Sequence, residues 1–393
     1  MNKLKVLFVA YFLGIISLFF YSFTQIDLNL TISKASVIQF LEKQFQYIGF
    51  FQRPLSATIF AFILIALFIN YLFILYFAKK GILKINKILI MSLSTTVILI
   101  FSYNAFSYDL FNYIFYGKII TFYHQNLYLF APSHFTGDPM LNFMRWTHVS
   151  YPYGPGWLIL SLPLSVLGFG FFIPTFFLYK TLIGFSYFLS VYLIYKISEK
   201  ISPQEKLFNT VFFAFNPLVI IECLVSSHND ISMFVFVLLA FYLSLNKKRV
   251  LSWVSNLFSI SVKFSTAVLL PVFVLIEYLN FKNKKINWSK LINFSVILSL
   301  VVIFAEIQRT NFQPWYLIFP LLLSSLNAKK SYILAPAIVA SIAAASIYIP
   351  YVLLTDYAPN YPQVINSLEM VGLVLFLVSL GLMLIRNKIS SSH

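Results

Sequence analysis

The chain has 393 residues, of which 60% are apolar, 19% are aromatic and only 10% are charged. Soluble domains carry roughly 25% charged residues, so this chain cannot cover a globular surface with polar groups. The composition excludes a soluble enzyme, a secreted disulfide scaffold and a disordered chain. It predicts an all-α polytopic membrane protein. The net charge of +16 is informative through the positions of the charges, and we expect no nucleic-acid partner.

Apolar runs mark the predicted membrane crossings. A helix needs about 20 apolar residues to cross the hydrocarbon core, and several runs here are shorter, which is typical of helices buried among others or lining a cavity. The runs predict about twelve transmembrane helices in a single domain, 1–393. They cover 6–23, 56–78, 88–106, 174–195, 207–226, 230–245, 250–262, 264–279, 290–306, 313–327, 331–349 and 368–385.

The basic residues predict the orientation. With a cytoplasmic N-terminus, 20 of the 28 lysines and arginines fall inside and five fall outside, as the positive-inside rule requires. This count holds only if the apolar stretch 157–172 does not cross, so we interpret it as a re-entrant or interfacial helix. Residues 107–156 then form a long outer loop, and loops of that length usually have a function. We expect a multi-pass plasma-membrane protein with its site on the exoplasmic face.

Ionisable residues are concentrated where the predicted helices meet the outer face. Such a group at membrane depth costs several kcal/mol unless it is paired or hydrated. A layer that contains both signs of charge therefore predicts a polar cavity that opens outward. Its members are Asp109, Glu222, His228, Asp230, Lys263, Glu306 and Arg309.

Single members of this layer also have purely structural interpretations. Lys263 or Arg309 can extend towards lipid headgroups, and Glu306 can pair with Arg309 three residues later. Asp230 can cap a helix. Asp138, between a glycine and a proline, is more typical of a turn than of a ligand site. The hypothesis of a site therefore depends on the whole group.

Aromatic residues next to prolines and glycines lie at the same predicted depth. Tyr153 and Trp157 stand where the predicted re-entrant helix begins, and Gln313, Trp315 and Tyr316 open a later helix. Such residues often form only an aromatic belt at the membrane interface, but their rings also stack on the apolar faces of sugars. No nucleotide-binding or zinc motif is present, so an enzyme of this layout would take its donor from the membrane.

Several short motifs resemble, in order and spacing, those of the GT-C glycosyltransferases, and in particular the prokaryotic polyprenyl-phosphomannose-dependent α-mannosyltransferases. The likeness covers about 88–327. Residues 108–113, Gly117, 137–139, Trp146 and 151–155 resemble the first exoplasmic loop of that family. Ser227-His228-Asn229-Asp230 resembles its Gly-His-Asn-Asp motif, Ser261-Val262-Lys263-Phe264 its Val-Lys-Pro hairpin tip, and Arg309 with Gln313-Pro314-Trp315-Tyr316 a later motif.

This sequence departs from the family pattern at three positions. Ser227 replaces a glycine, Phe264 replaces a proline, and Leu127 stands where the family often has a proline. The departures bear on the sugar and the acceptor more than on the fold.

The resemblance implies a GT-C-type bundle in which a catalytic module, 88–327, is flanked by N-terminal spans, 1–87, and C-terminal spans, 328–393. It implies inverting transfer of a hexose, mannose in the family, from a polyprenyl-phosphate sugar to a glycan or glycolipid acceptor within membrane lipid. Asp109 matches the general base. Lys263, Arg309, His228 and Asp230 are candidates for binding the donor phosphate. Candidates for contacts with the sugar or the acceptor are Tyr153, Trp157, Gln313, Trp315, Tyr316 and Asp138.

Many members of that family need no metal, so we predict no cofactor and no metal site. For Asp230 the two expected roles are to orient His228 or to hold a divalent ion. Three other interpretations stay open. They are a lipid-linked sugar transporter or flippase, a cell-surface polysaccharide polymerase that uses a lipid diphosphate, and a non-catalytic scaffold. Transporters tend to have internal repeats and a polar site at the midplane, whereas here the polar layer lies at one edge.

Overall fold

The computed structural model describes residues 3–355 and 358–391. Within these ranges the secondary structure is helical and contains no strand, so the all-α prediction is confirmed. The α-helices are α1 (Lys3–Ser22), α2 (Ser36–Gln46), α3 (Arg53–Lys79), α4 (Ile85–Ile100), α5 (Asp109–Thr121), α6 (Pro155–Leu167), α7 (Phe172–Ile201), α8 (Lys206–Ala214), α9 (Pro217–Ile220), α10 (Asp230–Leu245), α11 (Arg249–Val262), α12 (Leu270–Phe281), α13 (Trp288–Arg309), α14 (Ile318–Ser325), α15 (Ser331–Ser346), α16 (Tyr348–Leu354) and α17 (Tyr361–Ser391).

The polytopic character is confirmed. In the described ranges, seven helical segments are long and apolar enough to cross a bilayer: Lys3–Gln25, Arg53–Lys79, Phe172–Ile201, Phe264–Phe281, Trp288–Arg309, Ser331–Leu354 and Tyr361–Ile389. An eighth arises if α8 and Pro217–Val225, which meet at a 53° bend, count as one broken span. The total of twelve stays a prediction, because α4, α10 and Pro314–Ser325 are apolar but shorter than a lone spanning helix needs.

Two segments before the site differ from the predicted boundaries. The run 88–106 is helical only as far as Ile100, and the chain is irregular over 101–108 until α5 begins at Asp109. Helix α2, in the first outer segment, was not predicted from the apolar runs. It has polar residues such as Lys43 and Gln44 among its apolar ones, so a search for spans does not detect it.

The centre of the molecule is one continuous buried segment. Every residue from Phe208 to Val235 is buried. The segment breaks at Pro217, which lacks the N–H group that a helix interior requires, and the Asn216 side chain caps the new start by accepting a hydrogen bond from the Leu218 N–H (3.0 Å). A single π-type turn, Ile221–Val225, then leads into the turn that carries His228 and Asp230. The predicted site motif therefore lies in the core and not at the surface.

A buried lysine ties the start of α5 to the core. The Lys180 Nζ in α7 donates hydrogen bonds to the Ser102 carbonyl and hydroxyl oxygens, both at 2.9 Å. It lies 3.5 Å from the Val225 carbonyl oxygen as well. Because Ser102 belongs to the irregular segment before Asp109, the Lys180 amino group links that segment to the π-type turn that contains Glu222. Lys180 therefore pairs within the protein and does not extend to the outer headgroups.

Helix α6 corresponds to the predicted re-entrant segment, 157–172, with slightly different bounds. It starts at Pro155 and ends at Leu167, so its 13 residues are only about 20 Å long. It packs against α5 and α11. The chain then reverses through Phe169 and Gly170, which both have positive φ angles (51° and 75°). The re-entrant placement itself stays a prediction.

Candidate functional site

Two carboxylates flank a buried histidine. The His228 Nδ1 lies 3.4 Å from Asp109 Oδ2, and its Nε2 lies 3.4 Å from Glu222 Oε2. The side chains of His228 and Glu222 are fully buried, whereas that of Asp109 is 21% exposed. We call Asp109, His228 and Glu222 the acid–histidine row. Only its Asp109 end is open, so this carboxylate is the one that a substrate can reach.

The buried end of the row is held by a tyrosine. The Tyr348 hydroxyl in α16 donates a hydrogen bond of 2.7 Å to Glu222 Oε1. Glu222 lies in the single π-type turn, a deviation from α-helix that is frequent at functional sites. The sequence placed Glu222 in the ionisable layer but indicated no role for it. Only the fold shows that it faces the histidine.

His228 is fixed in orientation by an aromatic stack. Its ring lies on the indole of Trp315, with centroids 4.0 Å apart and planes inclined by 21°, and its backbone N–H donates to the Glu222 carbonyl oxygen (3.0 Å). A neutral imidazole has one N–H, so it can donate to one of its two acids, and it needs a second proton to donate to both. Since His228 covers one face of Trp315, only the other face is left for a ligand.

A lysine–aspartate pair lies beside the row. The Lys263 Nζ, at the tip of α11, is 2.9 Å from Asp230 Oδ1 in the first turn of α10. Burial lowers the pKa of Lys263, but the neighbouring Asp230 and Asp109 carboxylates outweigh this and raise its pKa above the usual value. Asp230 therefore pairs with the lysine and does not orient His228. The Lys263 side chain is 32% exposed, so its ammonium can also reach a ligand.

The electrostatic environment keeps Asp109 ionised. Burial alone raises the pKa of this carboxyl, but His228, Lys263 and the Trp146 side chain together hold it below the ordinary value. A group that is to accept a proton must be deprotonated at neutral pH. Asp109 meets this condition.

Glycines bring the outer loop onto the tip of α11. The Gly154 N–H donates to the Val262 carbonyl oxygen at 3.2 Å. A Cβ atom on Gly154 would collide with the Ser261 carbonyl oxygen, and one on Gly156 would collide with the Ser261 hydroxyl. These glycines are therefore required for close approach. The contact holds the start of α6 next to the backbone that carries Lys263.

We expect Gly154→Ala to disturb this contact. The added methyl group must displace the tip of α11, and overpacking of this kind costs about 1–3 kcal/mol. The purified variant should unfold at a lower temperature and lose most of its activity, as measured by a thermal melt and a transfer assay. Gly381→Ala is the matched control, because nothing lies within 4 Å of its added Cβ. Wild-type melting and activity in Gly154→Ala would contradict the role of the contact.

The predicted aromatic residues have different surroundings. Tyr153 is half-buried and meets Tyr113 edge-on at 5.4 Å, while Trp157 is fully buried behind the same ring, also at 5.4 Å. The Tyr113 hydroxyl lies 3.4 Å from Asn229 Oδ1. Tyr153 can therefore line the site, whereas Trp157 supports the wall from behind.

Asp138 lies away from the row. Its carboxylate pairs with Lys118 and accepts a hydrogen bond from the Tyr123 hydroxyl at 2.6 Å. Burial raises the pKa of Asp138, but Lys118 and Tyr123 outweigh this and lower it. Lys118 is nine residues after Asp109 on α5, about 14 Å along the axis. The structure thus gives Asp138 the bonds of a residue that stabilises the outer loop.

Only part of the motif formed by Arg309 and residues 313–316 lies at the site. Trp315 touches His228, and Gln313 and Tyr316 are half-buried beside it. The Tyr316 hydroxyl lies 2.9 Å from Thr310 Oγ1. Arg309, the last residue of α13, is exposed. In the described part of the chain it pairs neither with Glu306 nor with a carboxylate of the row.

Backbone geometry explains one departure from the family pattern. Ser227 has a φ of 52°, a left-handed conformation that glycine adopts without cost and that other residues adopt at roughly 1–2 kcal/mol. The turn before His228 needs this conformation to lead from the π-type turn into α10. A glycine at this position of the related motif meets the same requirement.

Within residues 3–355 and 358–391, no group of three or more His, Cys, Asp or Glu side chains is arranged to hold a metal ion. Asp230 is occupied by Lys263. The absence of a cofactor stays a prediction.

An all-helical membrane fold that holds an ionised, part-exposed carboxylate beside a lysine is consistent with an integral-membrane glycosyltransferase. The chain belongs to the family described as alpha-(1->6)-mannopyranosyltransferase, N-terminal domain, whose model matches residues 13–278. The resemblance to prokaryotic α-mannosyltransferases of the GT-C type is thereby confirmed. The matched range contains Asp109, His228, Asp230 and Lys263 and ends before Arg309. No curated protein and no solved structure matches the chain significantly.

Proposed function

We propose that the protein transfers mannose, with inversion, from a polyprenyl-phosphate donor to a hydroxyl of a glycan or glycolipid, with Asp109 as the general base. One observation carries this proposal. Three segments distant in sequence bring an ionised, part-exposed carboxylate, a histidine that orients it and a lysine to one place. A base and a cation side by side are what the transfer of a sugar from a phosphate requires.

Each residue of the site has one role in the reaction. Asp109 accepts the proton of the acceptor hydroxyl, whose oxygen bonds to the anomeric carbon on the face opposite the phosphate. The bond from that carbon to the phosphate oxygen breaks, and the lipid phosphate leaves with the electron pair. The added negative charge needs cations and no acid. Lys263 supplies one, and Arg309 is the second candidate. His228 holds Asp109, and Asp230 holds Lys263.

An apolar groove supports a lipid donor. It has a volume of about 320 Å³ and lies between α13, α14, α15 and α17. Its lining includes Leu317, two residues after Trp315 in the chain, and its walls are mostly aliphatic, with Leu300, Leu321 and Ala337 among them. An isoprenoid chain is wholly apolar and fits such walls. In this proposal Tyr153, Gln313, Trp315 and Tyr316 contact the sugars, Trp157 supports Tyr113 from behind, and Asp138 stabilises the outer loop.

The same proposal includes the membrane arrangement. The N-terminus is cytoplasmic, about twelve helical segments enter the plasma membrane, and α6 returns to the exoplasmic side on which it began. The distribution of basic residues supports this orientation. The 20 Å length of α6 supports a segment that does not cross. No metal takes part.

Cysteine labelling tests the arrangement. Thr136 is exposed in the outer loop, and Cys223 is buried, so Thr136→Cys in a Cys223→Ala background should react with a membrane-impermeant maleimide in intact cells. Lys284→Cys, in a predicted inner loop, should react only after lysis. The opposite pattern would reverse the orientation and move the site to the cytoplasmic face.

Reconstituted transfer tests the activity. The purified protein with polyprenyl-phosphate [¹⁴C]mannose and a synthetic α-mannoside should yield an elongated product, and GDP-mannose should not serve as donor. Movement of the lipid-linked sugar across vesicles without product would identify a flippase. Use of a lipid diphosphate alone would identify a polymerase. Either result would refute the proposal.

A further inference from the structure

A second cavity, of about 300 Å³, is lined in part by Tyr108, the residue that precedes Asp109. Five parts of the chain form it: the segment after α1, the residues around the start of α3, the segment before α5, the outer loop at 142–145 and the end of α16. The lining residues that matter here are Asp27, Asn29, Arg53, Tyr108, Asn142 and Arg145. We call this cavity the arginine pocket.

The outer loop and α5 place the arginine pocket one residue from the proposed base. Tyr108 lines the pocket and Asp109 follows it, so their Cα atoms are about 3.8 Å apart. Arg145 also lines the pocket, and the side chain of the next residue, Trp146, is one of the groups that lower the pKa of Asp109. In both segments, one residue lines the pocket and the next residue belongs to the acid–histidine row or contacts it.

Helix α16 likewise has one residue that supports the acid–histidine row and another that lines the arginine pocket. Tyr348 donates to Glu222 in the row, and Tyr351, about one helical turn later, lines the pocket. The two rings are 6.5 Å apart between centroids. A ligand that fills the pocket would therefore lie against the layer of side chains that supports Asp109.

The lining offers groups of both signs. Asp27 accepts hydrogen bonds from the Asn29 N–H (2.9 Å) and from the Tyr108 hydroxyl (3.3 Å). The Arg145 guanidinium lies over the Tyr108 ring, 4.4 Å from its centroid, and Arg53 Nη1 donates to the Val352 carbonyl oxygen (3.3 Å). One carboxylate, two guanidinium groups and the side-chain amides together provide hydrogen-bond donors and acceptors in close proximity, which suits a ligand that carries several hydroxyls. The rings of Phe50, Tyr108 and Tyr351 add apolar faces.

Such a lining matches a pyranose. Neighbouring hydroxyls of a sugar donate and accept hydrogen bonds together, which planar carboxylate, amide and guanidinium groups satisfy, while the C–H face of the ring packs on an aromatic side chain. The volume lies at the lower end for small-molecule pockets, so it has room for a single sugar and not for a long oligosaccharide.

We propose that the arginine pocket binds a neutral hexosyl unit of the acceptor, next to the unit whose hydroxyl Asp109 deprotonates. The inference rests on the proposed function for the identity of the acceptor. It predicts that the protein distinguishes a disaccharide acceptor from a monosaccharide through residues that lie outside the acid–histidine row.

Direct binding tests the pocket without turnover. The probes are methyl α-mannopyranoside and methyl α-(1→6)-mannobioside, titrated by calorimetry into the purified full-length protein in detergent. The wild type should bind the disaccharide at least about tenfold more tightly. Arg145→Ala should remove this preference, because a hydrogen bond to a charged group is worth roughly 10- to 100-fold in affinity. Asn142→Ala, at an exposed position where folding is not at risk, should reduce it, and Lys43→Ala, exposed on α2, is the control.

The outcomes separate the pocket from the function. Equal binding of the two sugars by the wild type, or an unchanged preference in both pocket variants, would refute the arginine pocket even if mannose transfer proceeds. Displacement of the disaccharide by inorganic phosphate would overturn the choice of a neutral ligand. Absence of any mannose transfer by the wild type would refute the proposed function and the acceptor role together, however well the sugars bind.

Discussion

Asp109→Asn should lower the rate of mannose transfer by about 10²–10⁴-fold, the usual contribution of a general base, while donor affinity stays near the wild-type value. The amide keeps the size of the side chain and its place at the open end of the acid–histidine row. It cannot accept the proton of the acceptor hydroxyl. The measurement is single-turnover transfer by the purified variant, with donor binding assayed separately.

Two further variants make this result specific. Glu277→Gln removes a carboxylate that pairs with Arg249 far along the chain, and it should transfer mannose normally. Asp230→Asn tests whether Asp230, the other carboxylate beside Lys263, is the base instead. If Asp230→Asn is inactive and Asp109→Asn is active, the two roles are reversed. If both are fully active, the acid–histidine row is not the catalytic centre.

Lys263→Ala should weaken donor binding by about 10- to 100-fold, since a charge-assisted hydrogen bond to phosphate is worth roughly 1.5–3 kcal/mol. The substitution also leaves Asp230, which is nearly buried, without its partner. The double variant Lys263→Ala/Asp230→Asn removes that unpaired charge. If it recovers thermal stability but not donor affinity, the loss comes from the missing phosphate contact.

The Lys263→Ala variant should also change the pH dependence of kcat. The charge of Lys263 is one of the causes that lower the pKa of Asp109, so its removal should raise that pKa. The acid limb of the kcat profile, where Asp109 becomes protonated, should therefore move to higher pH in Lys263→Ala. An acid limb at the wild-type position would show that Lys263 does not act on the base.

Arg309→Ala decides whether the phosphate is held by two cations. Because Arg309 is exposed at the end of α13, its removal should leave stability unchanged. A loss of donor affinity comparable to that of Lys263→Ala would support a clamp. Wild-type donor kinetics in both single variants would refute it and leave these cations a role at the lipid headgroups.

Much of the site could be predicted from the sequence because its residues occur in short motifs. Asp109, His228, Asp230 and Lys263 each stand at a helix end, where a polar residue interrupts an apolar run, and the order of the runs indicated a common depth. The partners could not be predicted in this way. Asp230 was expected to orient His228, yet it pairs with Lys263, and His228 is flanked by Asp109 and Glu222.

Composition by itself determined that the protein is an all-α membrane protein, because a chain with 10% charged residues has too few polar groups for a soluble surface, and a helix satisfies its own backbone in lipid. The motifs determined the family. Tertiary structure alone decided which carboxylate is open to substrate, how glycines bring the outer loop to Lys263, and that Asp27, Arg53 and Arg145 line one pocket. These features depend on contacts between segments up to about 300 residues apart, and the direction of a side chain across such a contact is set by packing and not by local pattern.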